Sequence, residues 1–465
     1  MRTLAILLLW VSVAQAQPTT PLGGRLADIV RSAELGDGVS ILVAEGDADI
    51  FALRADVPRN PASNMKLVTA AAALLELGAD YHMDTGLYGN VVDGRIADLV
   101  LRGTGDPDLE MSDLIQLAAA LADRGVRAVD RVWVDGTYFD DEILPPAFDQ
   151  QPDEMAAFRA AVGAVAVERS SFVLRVVPAA VGAPPTIRLL GEGYFDVDNG
   201  MTTTEGGAPN VIASQRAIEG GRMALVLRGS VPAGISGVGY RRRIENPLTH
   251  AAFVMAEALQ RAGIRGGRRV RVGTGPSGLP LLASHESAPL SQLLYRVGKN
   301  SDNFVAEMIL KVLGAEQERP GSSARGTRVL ARVLERAGVP EDAATIVNGS
   351  GLFEGNRIAP RHLVQLLDYV YQQPAIRSEY LAHLSVGGVD GTLSRRMREV
   401  PAGAVRMKTG TLNDVIALSG YVLGPNDSTR VVRFSFLANG IRGRQGAARN
   451  LADALVEAIV ASLWS

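Results

Sequence analysis

The sequence predicts an α+β fold: an antiparallel sheet with helices on one side, its first and last strands far apart in the chain, and a large β-rich insertion between them. Three observations carry this. Strand-like alternation occupies both ends, at 39–54 and again at 415–424 and 431–440. Helix-period apolar spacing lies inside those ends, at 65–77, 288–313, 324–337 and 359–371. Between about 85 and 280 the character changes to short alternating runs punctuated by Gly, Pro and Asp.

In chain order, the first element is "MRTLAILLLWVSVAQAQ", with Arg2, an apolar run Leu4–Val11 and then Ala14-Gln15-Ala16. This three-part form predicts a secretory signal over 1–16, cleaved after Ala16. "VSILVAEGDADIFALR" (39–54) reads as two strands about a Gly/Asp turn. The punctuation "VPRNPAS" ends at Ser63, and Leu67, Ala70, Ala71, Leu74 and Leu75 give the helix that follows an apolar face. In the insertion, "DRVWVDGTYF" (130–139), "SFVLRVVPA" (171–179), "RMALVLRGSV" (222–231) and "RRVRVG" (268–273) predict strands. "LIQLAAALADRG" and "THAAFVMAEALQRAG" predict helices between them. The chain closes on an amphipathic helix, 446–463, expected to pack on the sheet. The result is a discontinuous domain of 17–84 and 281–465 around an inserted domain of 85–280.

With 465 residues, 47% hydrophobic and 21% charged, the chain can bury more than one core and is not disordered. A net charge of −3 with no broad basic face argues against nucleic acid as a partner. No stretch after the signal is long and apolar enough to span a membrane, so the mature chain is expected to be soluble. The absence of cysteine excludes disulfides, thiol nucleophiles and thiolate-bound metals. The five histidines (82, 250, 285, 362, 383) lack metal-ligand spacing, and no phosphate-binding glycine motif appears, so no cofactor is expected.

The chain carries 43 arginines and only 4 lysines, at 66, 299, 311 and 408. Lys66 follows Ser63 by three residues, which a helix stacks on one face. A serine hydroxyl needs a base before it can attack, and a neutral amine can be that base. Arginine cannot, because its guanidinium stays protonated. Two other lysines flank short motifs: Lys299 precedes Ser301-Asp302-Asn303, and Lys408 opens Lys408-Thr409-Gly410-Thr411. Lys311 has no such setting and reads as a solvated helix position.

The ordered trio Ser-x-x-Lys, Ser-Asp-Asn, Lys-Thr-Gly resembles that of β-lactamases and penicillin-binding proteins. Over nearly the whole mature chain the sequence resembles the class C low-molecular-mass penicillin-binding proteins, the D-alanyl-D-alanine carboxypeptidase/endopeptidases. "NPASNMKLVTAAAALLELGADY" is similar to that family's nucleophile helix and "RGTGDPDL" (102–109) to its Gly-Asp-Pro turn. "VDGTYFDD" (134–141), "NGSGL" (348–352) and "GGVDGTL" (387–393) match other recurring segments. The spacing of 238 residues from Ser63 to Ser301 also suits this family, whose relatives with no large insertion place those motifs closer.

The resemblance implies the penicillin-binding transpeptidase fold and a set of roles. Ser63 would be acylated and Lys66 would be its base. Ser301 and Lys408 would relay the proton to the leaving D-alanine. Asn303 would bond the substrate amide, while Thr409, Gly410 and Thr411 would line the place of its terminal carboxylate. Backbone N–H groups of Ser63 and Thr411 would form an oxyanion hole. Asp135, in the insertion, would lie near the pocket for the peptide side chain. One departure stands out: after "NGSGL" the family commonly has Ser-Arg, whereas here Phe353-Glu354 follows, with Arg357 three residues on as a candidate replacement. The implied partners are peptidoglycan stem peptides, with β-lactams as inhibitors, in the periplasm. Oligomeric state stays open, a homodimer included. Two alternatives remain: a serine β-lactamase, for which no deacylating Glu-x-x-Leu-Asn segment is found (the nearest, 341–351, does not fit), and a non-catalytic wall-binding protein.

Overall fold

The computed structural model describes residues 20–425 and 429–465; the predicted signal over 1–16 lies outside them. One sheet joins the two ends of the chain. Its strand order is Ser385–Val386, Val405–Leu412, Val415–Leu423, Val431–Asn439, Val39–Glu45, Ala48–Leu53, and every pairing is antiparallel. Val39 lies opposite Ala438, so the first strand is clamped beside the last.

Helices cover both faces of this sheet, where the sequence reading expected one. The reason is visible along Val415–Leu423 and Val431–Asn439, where eight consecutive residues of each are buried. Strands buried on both faces lose polar alternation. Ile41, Val405, Ile416, Phe434 and Phe436 face the terminal helices Pro21–Ala33 and Gln445–Leu463. Ala417, Tyr421 and Leu437 face a helical group that includes Met65–Glu76, Asn303–Gln317 and Pro360–Tyr371. The closing helix packs on the sheet as predicted. Met65–Glu76 is buried on all sides from Met65 to Leu74, and its alanine run lets neighbouring helices come close.

The helix expected over 288–313 is two helices, Leu290–Gly298 and Asn303–Gln317. The break falls at Ser301, whose φ of 57° is left-handed, and Asp302 caps the second helix by accepting from Val305 N–H at 3.2 Å. Gly298–Asn303 holds no apolar side chain and offers a Gly stop before an Asp cap, a break signal that the single-helix reading passes over.

The middle of the chain holds a second sheet, ordered Arg265–Val272, Ala128–Asp135, Arg95–Gly103, Asp84–Tyr88, Leu281–Glu286. The first three strands are parallel and the others antiparallel. The helices Met111–Asp123 and Pro247–Arg261 cover one face. Two three-stranded sheets share a smaller core of Phe172, Tyr194, Met201 and Leu225. The loop after Ala128–Asp135 returns toward the first sheet, carrying Gln150 and Phe158.

Candidate active site

Ser63 lies on a single turn, Ala62–Asn64, that runs directly into Met65–Glu76. Ala62 is fully buried with φ of 46°, an uncommon backbone state that persists only when the surroundings impose it. They do so here. Asn60 Oδ1 accepts from Ala62 N–H at 2.9 Å, and Asn60 exchanges two backbone hydrogen bonds with the Asn439 amide at 2.8 and 3.1 Å. Gly410 and Gly351 let other segments close on this turn. A β-carbon on Gly410 would sit 3.0 Å from the Pro61 carbonyl, and one on Gly351, where φ is 74°, 1.8 Å from that of Ala62. These contacts explain "NGSGL" and "KTG" as packing requirements as well as motifs.

Lys66 is fully buried and its Nζ reaches three acceptors: Ser63 Oγ at 3.2 Å, Asn303 Oδ1 at 2.7 Å and the Ser350 carbonyl at 2.7 Å. The count matters. An ammonium has three hydrogens for these three oxygens. After losing one, the amine keeps two hydrogens for the two carbonyl-type oxygens, which can only accept. Its lone pair then faces the Ser63 hydroxyl, which can donate. Burial drives Lys66 down to about 7, against the opposing pull of the carboxylates of Glu307 and Asp302. Lys408 is fully buried as well and donates to Ser301 Oγ at 2.8 Å and to the Thr409 carbonyl at 2.7 Å. Its pKa falls well below the ordinary lysine value, first through burial and then through the charge of Lys66.

Ser63, Ser301, Asn303 and Thr411 line one cleft of about 900 Å³. Lys66 and Lys408 lie behind this surface. The strand Val405–Leu412 is bonded on its outer side at Val405, Arg406 and Met407, and among the described residues its Lys408–Leu412 edge pairs with no strand. Thr409 is turned away: its hydroxyl donates to Thr392 Oγ1 at 2.8 Å. Asp135 is not brought into the cleft. It is buried in a turn, accepting from Thr137 N–H and Oγ1 at 3.0 and 2.6 Å and from Arg102 Nε at 2.9 Å. Arg357 forms an ion pair with Glu354 at 2.9 Å, and Asn60 Nδ2 donates to the other Glu354 oxygen at 3.1 Å.

Lys311 corrects the sequence reading. It is fully buried, donates to the Glu142 carbonyl at 2.8 Å and forms an ion pair with Asp140. It thereby ties "TYFDD" to the helix that follows Ser301. Lys299 serves a similar purpose outside the cleft, bonding Asp390 at 2.5 Å and the Leu384 carbonyl at 3.0 Å. Asp108 of "GDPDL" pairs with Arg296 at 2.8 Å on the helix that precedes Ser301. The lining residues Gln150, Phe158, Asp414, Arg442 and Gln445 were not singled out from sequence. They sit on loops or helix starts with no chemical spacing to mark them. Phe158 stays 46% exposed at the cleft, and its carbonyl accepts from Asn303 Nδ2 at 3.0 Å.

The sequence description of the D-Ala-D-Ala carboxypeptidase 3 (S13) family matches residues 22–461. The D-alanyl-D-alanine carboxypeptidase of Actinomadura sp. (strain R39) is 36% identical over 407 residues, covering 82% of this chain and 74% of that protein. The crystal structure of penicillin binding protein 4 (dacB) from Haemophilus influenzae superposes with a TM-score of 0.75 at 24% identity, over 93% of this chain and 99% of that one. The same protein complexed with a β-lactam gives 0.73 at 22% identity, over 94% and 99%. These two establish the fold. The resemblance drawn from the three motifs holds: the chain belongs to the D-Ala-D-Ala carboxypeptidase 3 (S13) family and is a serine-type D-Ala-D-Ala carboxypeptidase.

Proposed function

We propose that this carboxypeptidase works on peptidoglycan stem peptides in the periplasm through an acyl-enzyme on Ser63. It releases the terminal D-alanine or cleaves peptide cross-links. The neutral Lys66 amine takes the Ser63 hydroxyl proton as Oγ attacks the penultimate D-alanine carbonyl. The oxyanion is held by the backbone N–H groups of Ser63 and Thr411, preorganised donors typically worth about 2.7–4 kcal/mol each. Lys408 and Ser301 deliver a proton to the leaving nitrogen, the C–N bond breaks, and water resolves the ester. Asn303 bonds the substrate amide, and Gly410 and Thr411 present the free strand edge, to which an extended peptide can add. Residues 17–84 and 281–465 form the catalytic unit in this reading and 85–280 the insertion.

The observation that supports it best is the Lys66 acceptor set, which leaves a lone pair nowhere to point but at Ser63. A β-lactam presents a strained amide to the same attack and traps the ester. Labelled penicillin, followed by peptide mapping, should mark Ser63 one to one and leave a Ser63→Ala variant unmarked. An unlabelled wild-type enzyme, or a labelled Ser63→Ala variant, ends this reading. Mass analysis of muropeptides before and after digestion separates loss of D-alanine from opening of cross-links.

A further inference from the structure

Glu307 takes part in none of those steps, yet it is a buried carboxylate on the helix Asn303–Gln317. It lies one turn after Asn303, so both side chains leave the same face toward Lys66. Its Oε1 accepts from the backbone N–H of Ser350 at 2.7 Å and its Oε2 from that of Gly349 at 3.3 Å. The Ser350 carbonyl in turn accepts from Lys66 Nζ, and the Gly349 carbonyl accepts from Thr69 Oγ1, each at 2.7 Å. The carboxylate thus grips this turn by its N–H groups while the helix of Lys66 holds its carbonyls. Asn348 Oδ1 fixes the far side by accepting from Gly351 N–H at 2.9 Å. A side chain at residue 349 would be crowded, since a β-carbon on Gly349 would lie 3.2 Å from the Ala306 carbonyl, the Leu310 β-carbon and Thr69 Oγ1 alike.

Resting on the acyl-enzyme reading above, we propose that Glu307 is a positioning residue for Lys66. It holds the Gly349–Ser350 turn where the Ser350 carbonyl claims one amine hydrogen, and so keeps the lone pair aimed at Ser63. Asn303 on the same helix claims the other. The carboxylate has a second effect through charge. Of the charged groups that face Lys66, Glu307 and Asp302 favour its ammonium form, while the Lys66 charge in turn lowers Lys408. Glu307 itself is pushed up by burial, with the Ser350 hydroxyl, the two backbone N–H groups and Lys66 pulling the other way.

The test is the rate of acylation by a labelled penicillin across pH for wild type, Glu307→Gln and Glu307→Asp, each checked for folding by thermal unfolding. The glutamine amide cannot accept from both N–H groups. Its acylation should fall between about 10- and 100-fold, as a small misplacement of a catalytic group does. Its acidic limb should move to lower pH, because a charge favouring the ammonium is gone. Aspartate keeps the charge but falls short of the turn, so its rate should fall with the limb unmoved. A folded Glu307→Gln enzyme with the wild-type rate and limb overturns the proposal. So does Glu307→Asp at the wild-type rate, which decides the matter if the glutamine variant does not fold. An unlabelled wild type would overturn the acyl-enzyme reading itself, and this proposal with it.

Discussion

The α-carbon of Gly351 faces the carbonyl oxygen of Ala62 so closely that a methyl group there would lie 1.8 Å from it. The turn that supplies an acceptor to Lys66 is therefore pressed against the residue that aims Ser63. Gly351→Ala should be destabilising by about 2–4 kcal/mol, from overlap and the left-handed φ together. Thermal unfolding will read that loss. Penicillin labelling of the remaining folded fraction should be slowed as well, because relief of the overlap displaces Ser63.

Lys66 sets the pH dependence. With its pKa lowered to about 7, the competent amine form dominates above that value, so acylation should rise through pH 7 and be lost as pH falls below it. Stability follows the same direction. The fold disfavours the ammonium, so this lysine's penalty is full below about 7 and disappears as pH climbs toward 10.5, where a free lysine loses its proton. Lys66→Arg keeps the charge and cannot release it, and should lower acylation on the order of 10²–10⁴-fold at every pH.

Lys311 should matter to stability and not to chemistry. Lys311→Met leaves Asp140 and the Glu142 carbonyl without their donor. Asp140 is partly open to water, which places the expected loss near the lower end for a broken buried pair, about 3 kcal/mol. Denaturant unfolding checks this, and the acylation rate per folded molecule should stay within about twofold.

Glu354 neutralises Arg357 at the wall of the cleft. Glu354→Ala removes a carboxylate that repels an anionic side chain and frees a guanidinium to meet it. The ratio of kcat/KM for a stem peptide with a side-chain carboxylate to one without should rise about tenfold. An unchanged ratio would place side-chain recognition elsewhere.

Much of this was legible in the sequence because lysine is rare there. Three of its four lysines fall at the motifs; Ser63 and Lys66 meet as their three-residue spacing implied, and Ser301 and Lys408 meet as the resemblance implied. The fourth was misread. Lys311 lies in an apolar helix whose burial depends on Asp140, a residue 171 positions away that no local pattern connects to it. Asp135 and Thr409 were placed by analogy, and their hydrogen bonds to Thr137 and Thr392 depend on the local turn and strand face. Glu307 was not singled out from sequence because its partners are backbone N–H groups, which leave no trace in side-chain spacing. The second layer of helices was missed because strands covered on both faces lose the alternation that tells inside from outside.

The pairing of Val39–Glu45 with Val431–Asn439 has a temporal meaning. A ribosome delivers Ser63 early and Lys408 near the finish, with the whole insertion to be made between them. Until the last strands emerge, the opening strand has no neighbour to zip against and the hydroxyl has no opposing wall. Assembly must therefore wait on very long-range closure, which makes it slow.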